Sequence, residues 1–311
     1  MTAPHTSVRS VLAHALPMLA LATAVLIFTG GFASARYYLE AGGSPQDVVT
    51  LRYGVSGLLF AIYVFARRRR LATQPGWPRA IALALTGGVP FGGFVFVGVN
   101  GAPFTHGGSI VPGITLLLGT LLAWAWLREP VNKKRLAGVV LTIAGLALLL
   151  MADTGQADVR WWGEVAYLAA GICWAVFTVL LRAFRVDPVD GAALAAAFSL
   201  PYLIVYGLWL NPQILAVPAS ATLVHGLYQG VLFNMVAILL YASAVSRLGA
   251  AAAVAAMTLM PLFAVALEWT LFDRLPHWIA APALMLMGVG ITLAALAAMA
   301  AAPPPHLHHR A

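Results

Sequence analysis

Ten apolar stretches, each close to the length of one membrane crossing, occupy almost all of the 311 residues, and the lysines and arginines fall in every second gap between them. A bilayer's hydrocarbon layer is roughly 30 Å thick and takes about 20 helical residues to cross. Ten stretches meet that requirement: Ala13 to Ala35, Asp47 to Ala66, Arg79 to Val99, Pro103 to Leu127, Leu136 to Ala152, Trp161 to Ala183, Gly191 to Leu210, Ala221 to Val245, Gly249 to Phe272 and Trp278 to Ala300. With 61% of residues hydrophobic and 9% charged, such a chain has lipid as its solvent. Backbone groups in lipid must be satisfied internally, and twenty-residue lengths without strict alternation exclude a barrel. The fold class is therefore all-α integral membrane, with ten transmembrane helices.

The net charge of +8 raises the question of a nucleic-acid partner, but the placement of the charge answers it. With the N-terminus inside, Arg9, Arg67, Arg68, Arg69, Arg70, Arg79, Arg128, Lys133, Lys134, Arg135, Arg182, Arg185, Arg247 and Arg310 lie on the inner side. Arg36, Arg160 and Arg274 lie outside, and Arg52 lies within a span. Fourteen against three is the positive-inside bias, so both tails, 1–12 and 301–311, are expected in the cytoplasm of a bacterial cell, with the chain in its inner membrane. The Arg67 to Arg70 run then sets topology against anionic lipid, and no nucleic acid is called for. The single cysteine, Cys173, cannot form an intrachain disulfide and reads as packing. Ala33-Ser34-Ala35 mimics a signal-peptidase site, but the apolar run before it is long for a signal peptide and has a counterpart later in the chain.

That counterpart appears when 161–300 is laid over 13–152. Leu26-Ile27-Phe28 through Arg36 falls over Ile172-Cys173-Trp174 through Arg182, an aromatic residue and an arginine eight apart in both. Leu127-Arg128-Glu129-Pro130 likewise falls over Phe272-Asp273-Arg274-Leu275-Pro276. Each half holds five spans. An odd number flips the second copy, so the spans form two inverted five-helix repeats, 13–152 and 161–300, the symmetry from which alternating access follows.

These residues resemble a known family. Thr50-Leu51-Arg52-Tyr53 is similar to the second-helix signature of EamA-type carriers in the drug/metabolite transporter superfamily. Thr105-His106-Gly107-Gly108-Ser109-Ile110-Val111-Pro112-Gly113 resembles the fourth-helix pattern of one branch, and Arg128-Glu129-Pro130 the signature after it. Cys173-Trp174-Ala175-Val176-Phe177-Thr178 and Leu259-Met260-Pro261-Leu262-Phe263 resemble stretches of the family's second repeat. Phe28 stands where tryptophan is usual, Thr115 where that branch often carries a second proline, and Asp273 where glutamate is usual. The resemblance implies export of amino acids, including aromatic ones, or of other small metabolites.

Polar side chains retained within spans are the candidates for a substrate site, since a central charge costs about 2.5 to 3.5 kcal/mol on insertion scales. Span eight holds His225, Tyr228, Gln229 and Asn234, with Tyr241 seven residues beyond Asn234 on one expected face. Asn234 either lines a cavity or bonds a neighbouring helix. Span six carries Tyr167, Gly171, Trp174 and Thr178 at helical spacing, and Trp174 stands apart from the tryptophans at span ends. Its indole suits an apolar or aromatic solute, with packing as the alternative. His106, Ser109 and Gly113 share a face of span four, with Asn100 just before it, and Pro112-Gly113 is expected to break that helix near the midplane. Pro90, Pro201, Pro261 and Pro282 are expected kinks.

Arg52 and Glu268 are expected to snorkel outward, the alternatives being contact with solute or a coupling proton on Glu268 or His106. With one arginine and no lysine inside spans, a neutral, zwitterionic or lipophilic solute fits better than a phosphorylated one. No Walker loop, metal-ligand pair or dinucleotide glycine pattern calls for a cofactor. The expected partners are a small-molecule substrate and the lipid bilayer, with monomer and homodimer both open. Two rival classes are a channel and an intramembrane serine protease of the rhomboid type, in which Gly54-Val55-Ser56-Gly57 would supply the nucleophile and His225 the base.

Overall fold

The computed structural model describes residues 8–129, 131–152, 159–210, 212–248, 256–257, 259–274 and 278–300. Among these residues it is built of ten apolar helices and has no strand. They are α1 (Val8–Glu40), α2 (Pro45–Ala66), α3 (Trp77–Gly101), α4 (Phe104–Leu127), α5 (Lys133–Ala152), α6 (Trp161–Ala183), α7 (Pro188–Trp209), α8 (Ala219–Leu248), α9 (Met260–Phe272) and α10 (Ala280–Ala300). All but the 13-residue α9 are long and apolar enough to cross a membrane. Residues 1–7 of the N-terminal tail, the C-terminal tail, the 153–158 stretch, Pro130, Leu275-Pro276 and the first residues of span nine lie outside the described residues, while 8–12 belong to α1.

Helix ends follow local chemistry. Ser44 caps α2: its Oγ accepts from the Asp47 N–H at 3.3 Å, and Asp47 Oδ2 accepts from the Ser44 N–H at 2.7 Å. Pro45, with no N–H to satisfy, fills the first turn. The same device starts α7, where Asp187 accepts from the Val189 N–H and Pro188 follows the cap, three residues before the expected start. α1 runs 33 residues, which at 1.5 Å per residue is longer than the hydrocarbon layer, so Arg36 stands on the helix and not in a gap after it.

α2 and α7 run antiparallel, each clasping the other's end. Asp47, at the start of α2, accepts a 2.5 Å hydrogen bond from the Tyr206 hydroxyl near the end of α7. Asp190, at the start of α7, accepts a 2.6 Å hydrogen bond from the Tyr63 hydroxyl near the end of α2. Asp190 and Tyr206 stand 143 residues after Asp47 and Tyr63, so the two contacts are one contact repeated by a two-fold axis. α5 and α10 also pair antiparallel, with Asn132 Nδ2 donating to the Ala297 carbonyl at 3.1 Å across opposite ends. Glycines let these backbones touch: a Cβ on Gly138 would meet Gly290 O at 2.5 Å. Two inverted repeats therefore pack as interlocked halves.

The irregularities differ from expectation in one instructive respect. α4 continues through Pro112 without a break. The interruptions fall elsewhere, at Gly88, which separates Trp77–Gly87 from Val89–Gly101 in α3, and between Pro188–Ala197 and Tyr202–Trp209 in α7. Pro90 and Pro201 sit at these two breaks, as their kinks would require. The breaks face each other, with the Val89 N–H donating to Ser199 Oγ at 3.2 Å. A cleft of about 240 Å³ lies there, lined by Leu85, Val89, Pro90, Phe198, Ser199 and Tyr202 among others. The third interruption is a π-helical segment, Tyr228–Ala237, inside α8.

A double-mutant cycle of Asp47→Asn and Tyr206→Phe, read by reversible unfolding in mixed micelles, should give a coupling of about 1–3 kcal/mol, because the Tyr206 hydroxyl is the shortest donor to Asp47, whose Oδ1 otherwise keeps only the Gln213 N–H at 3.2 Å. The Tyr63–Asp190 cycle should give less, since the exposed Arg67 also bonds Asp190, at 2.9 Å.

Candidate functional site

Arg52 does not snorkel. Its side chain is 5% exposed and points into the protein, where Nε donates to Asn234 Oδ1 at 3.2 Å. Asn234 Nδ2 in turn donates to Ser56 Oγ at 2.9 Å, and Ser56 Oγ donates to the Arg52 carbonyl at 2.6 Å. These three bonds close a ring between α2 and α8. Aromatic faces complete the enclosure: the guanidinium carbon is 4.0 Å from the Phe233 ring centre, 5.6 Å from Tyr53, 5.7 Å from Phe96 and 5.9 Å from Phe91. Such contacts contribute up to about 2 kcal/mol each when desolvated, which helps hold a charge that hydrocarbon alone would not accept.

The aromatic wall continues. Phe91 lies 4.7 Å, centre to centre, from Trp174, which lies 5.0 Å from Phe177. Trp174 thus joins the Arg52 enclosure through one intervening ring, and it remains half-buried. Thr178 on the same helix turns its hydroxyl back to the Ala175 carbonyl.

The π segment of α8 carries Gln229, Phe233 and Asn234, and π turns recur at functional sites because they re-aim side chains. Gln229 Nε2 donates to the Gly31 carbonyl at 2.6 Å, leaving Oε1 buried without a protein partner. One turn earlier, His225 Nδ1 meets Ser34 Oγ at 2.8 Å while Nε2 is buried without one, and its ring stacks on Tyr38 at 4.8 Å. The Tyr228 hydroxyl bonds the Ile27 carbonyl at 3.2 Å. Asn234 and Tyr241 do not share a direction as expected, because Asn234 faces α2 whereas Tyr241 packs on Phe28 of α1, 6.3 Å away.

A second polar group gathers at the start of α4 and is separate from the first. Glu268 is 5% exposed and, contrary to the expectation of snorkelling, turns inward, accepting from both the N–H and the hydroxyl of Thr105. A carboxylate there satisfies an otherwise orphaned first-turn N–H and the helix dipole. His106 Nδ1 lies 3.3 Å from Glu164 Oε1 of α6. The Tyr167 ring fills the notch left by Gly98 and Gly107, with its hydroxyl 3.4 Å from the Pro103 carbonyl. Ser109 bonds back to the Thr105 carbonyl within its own helix, and Asn100 is exposed instead of joining His106.

Each end of the bundle carries ion pairs, some within a helix and some between helices. On the face opposite Arg67 to Arg70, Arg36 holds Glu40 at 2.9 Å and the Val99 carbonyl at 2.9 Å, and Arg274 reaches Glu40 at 3.6 Å. On the basic face, Glu129 pairs with Arg182 at 2.8 Å and Arg135 at 3.6 Å. The serine and histidine of the protease reading have different partners, Asn234 for Ser56 and Ser34 for His225. Sequence reasoning missed Phe91, Phe233 and both Asp–Tyr clasps, and named Ser56 only as a candidate nucleophile and not as a partner of Asn234. The clasps had a signal: Pro-x-Asp followed sixteen residues later by Tyr occurs at the same place in each half.

Comparison with known proteins agrees with this architecture. Residues 15–151 and 161–296 each match the EamA-like transporter family. An uncharacterized transporter of Archaeoglobus fulgidus is 25% identical over 273 residues, 85% of this chain and 91% of that one. The uncharacterized transporter YvbV of Bacillus subtilis is 28% identical over 167 residues, 53% of this chain and about half, 54%, of its own length. A crystal structure sharing 21% identity superposes with a TM-score of 0.57 over 92% of this chain and 99% of that one, a likeness of fold.

Replacing Glu268 with alanine should lower stability by about 1–3 kcal/mol, since Thr105 then loses the acceptor for a buried N–H and hydroxyl, whereas Glu268→Gln should lose less. Thermal unfolding in detergent measures both.

Proposed function

Since this chain belongs to the EamA-like transporter family of the drug/metabolite transporter superfamily, we propose that it is a secondary carrier that moves small solutes across the bacterial inner membrane by alternating access. The observation that carries this reading is the enclosed group of Arg52, Asn234, Phe233, Phe91 and Trp174, a polar and aromatic site to which both halves contribute. Neutral, zwitterionic or lipophilic metabolites suit it, amino acids among them, and the positive-inside bias puts both termini in the cytoplasm. Export is the direction that the resemblance favours.

The halves supply a route to alternation. An Asp–Tyr clasp stands at each face of the α2–α7 pair, and both are closed in this structure. Opening one face means releasing that clasp and its ion pairs while the opposite set holds. By pseudo-symmetry the reverse exchange is a motion of similar energy. The 13–152 and 161–300 units are the two bodies that rock.

Reconstituted protein should show saturable uptake accelerated by unlabelled solute on the far side of the liposome membrane, tested over a panel of amino acids and small lipophilic compounds with and without a proton gradient. Trp174→Ala and Asn234→Ala should each raise the half-saturating concentration about tenfold or more, the loss of one stacking or hydrogen-bonding contact. Flux that rises linearly with concentration and ignores counter-solute would identify a channel. Unchanged affinity in both variants would move the site elsewhere.

A further inference from the structure

We infer that Arg52 is the anchor for a carboxylate group on the transported solute, whose apolar body lies along Phe91 and Trp174. This rests on the carrier reading and gives its solute a carboxylate, so that zwitterions held by their acid end and lipophilic organic acids are preferred over neutral solutes.

The donor inventory points there first. A guanidinium has five N–H donors in a planar fork. Arg52 gives one of them, on Nε, to Asn234, and among the described residues no protein acceptor meets the four on its terminal nitrogens. Arg52 is nearly but not wholly enclosed, for 5% of its surface stays exposed. Arg135 provides the contrast. Also buried, at 7% exposure, it donates to Thr120 Oγ1 at 3.2 Å and pairs with the Glu129 carboxylate at 3.6 Å. Among the described residues Arg52 has no such carboxylate, although it lies deep in a membrane span, where an uncompensated cation is most costly.

Geometry narrows the chemistry of what fills that place. Asn234 and Ser56 fix the Nε edge, so the orientation of the fork is set before anything binds. Phe233 at 4.0 Å, with Tyr53, Phe96 and Phe91 farther off, presents apolar surface around the guanidinium. A planar fork with its terminal donors open matches the two oxygens of a carboxylate. A monoanion neutralises the site, whereas a phosphate dianion would leave excess negative charge beside one cation. From Phe91 the aromatic surface continues to Trp174, where an apolar or ring-bearing body can lie. The site is not duplicated by symmetry. The residue 143 positions after Arg52 is Ala195, so the two halves share one cation.

The experiment measures binding in lipid nanodiscs by calorimetry, apart from transport. Acids and their neutral amides are compared in pairs, phenylacetate with phenylacetamide and isovalerate with isovaleramide, with sodium chloride as the inorganic anion. The anchor predicts that at least one acid binds about tenfold or more tightly than its amide, and that Arg52→Gln abolishes this preference, acid and amide then binding with similar affinity. Asn234→Asp is the companion variant, since it supplies an internal carboxylate to Arg52. It should fold as well as the parent and lose acid preference, which separates a lost anchor from a lost fold. The assignment is overturned if no acid is preferred over its amide, if the preference survives Arg52→Gln or Asn234→Asp, or if chloride displaces the acids at equal concentration. Counterflow in liposomes then separates the two readings. Preferential acid binding with no solute exchange would refute the carrier and keep the anchor, whereas exchange of other solutes without acid preference would refute the anchor and keep the carrier.

Discussion

The antiparallel pairing of α2 with α7 is the constraint on which the rest of this structure depends. Each helix begins with a capped Pro-x-Asp turn, and each aspartate reaches the tyrosine near the far end of the other helix. Two buried carboxylates at opposite ends of one helix pair can both be satisfied only when the halves are inverted copies in register. A slip of one turn would strand both in a medium where unpaired polar groups are strongly disfavoured. The clasps therefore set the relative height of the two repeats. That height brings Arg52 of α2 level with Asn234 of α8.

Arg52 shows how a membrane protein keeps a charge that lipid would reject. Among the described residues no carboxylate pairs with it, and it does not extend outward. An amide, a hydroxyl and several ring faces stabilise it instead, and these come from helices of both repeats. The enclosure draws side chains from both repeats, as the proposed alternating carrier would require, whereas the polar group around Glu268, which caps α4, serves the scaffold.

Much of this fold was legible in the sequence because lipid imposes simple rules. Span length, charge alternation and the offset between halves gave ten helices in two repeats, and the family match over 15–151 and 161–296 agrees. Residue-level geometry was less legible. Whether Arg52 points outward or inward depends on Phe233 and Asn234, which lie about 180 positions away in the chain. Pro112 looked like a helix breaker, yet α4 absorbs it, while the interruptions at Gly88 and near Pro201 form where Ser199 can supply the missing partner to Val89. A face computed for a regular helix also fails across the π segment, so Tyr241 turns toward α1 instead of following Asn234. The clasps themselves were present as a repeated Pro-x-Asp and tyrosine spacing, visible once the halves are aligned at 143 residues.

Inversion of the two halves is the central claim, and sided labelling tests it most directly. In a Cys173→Ala background, single cysteines replace Arg69, just after α2, and Gln213, just after α7, and intact cells are treated with a membrane-impermeant thiol reagent. The account predicts that position 213 is labelled from outside and position 69 only after the membrane is opened. Labelling of both positions from the same side would contradict it.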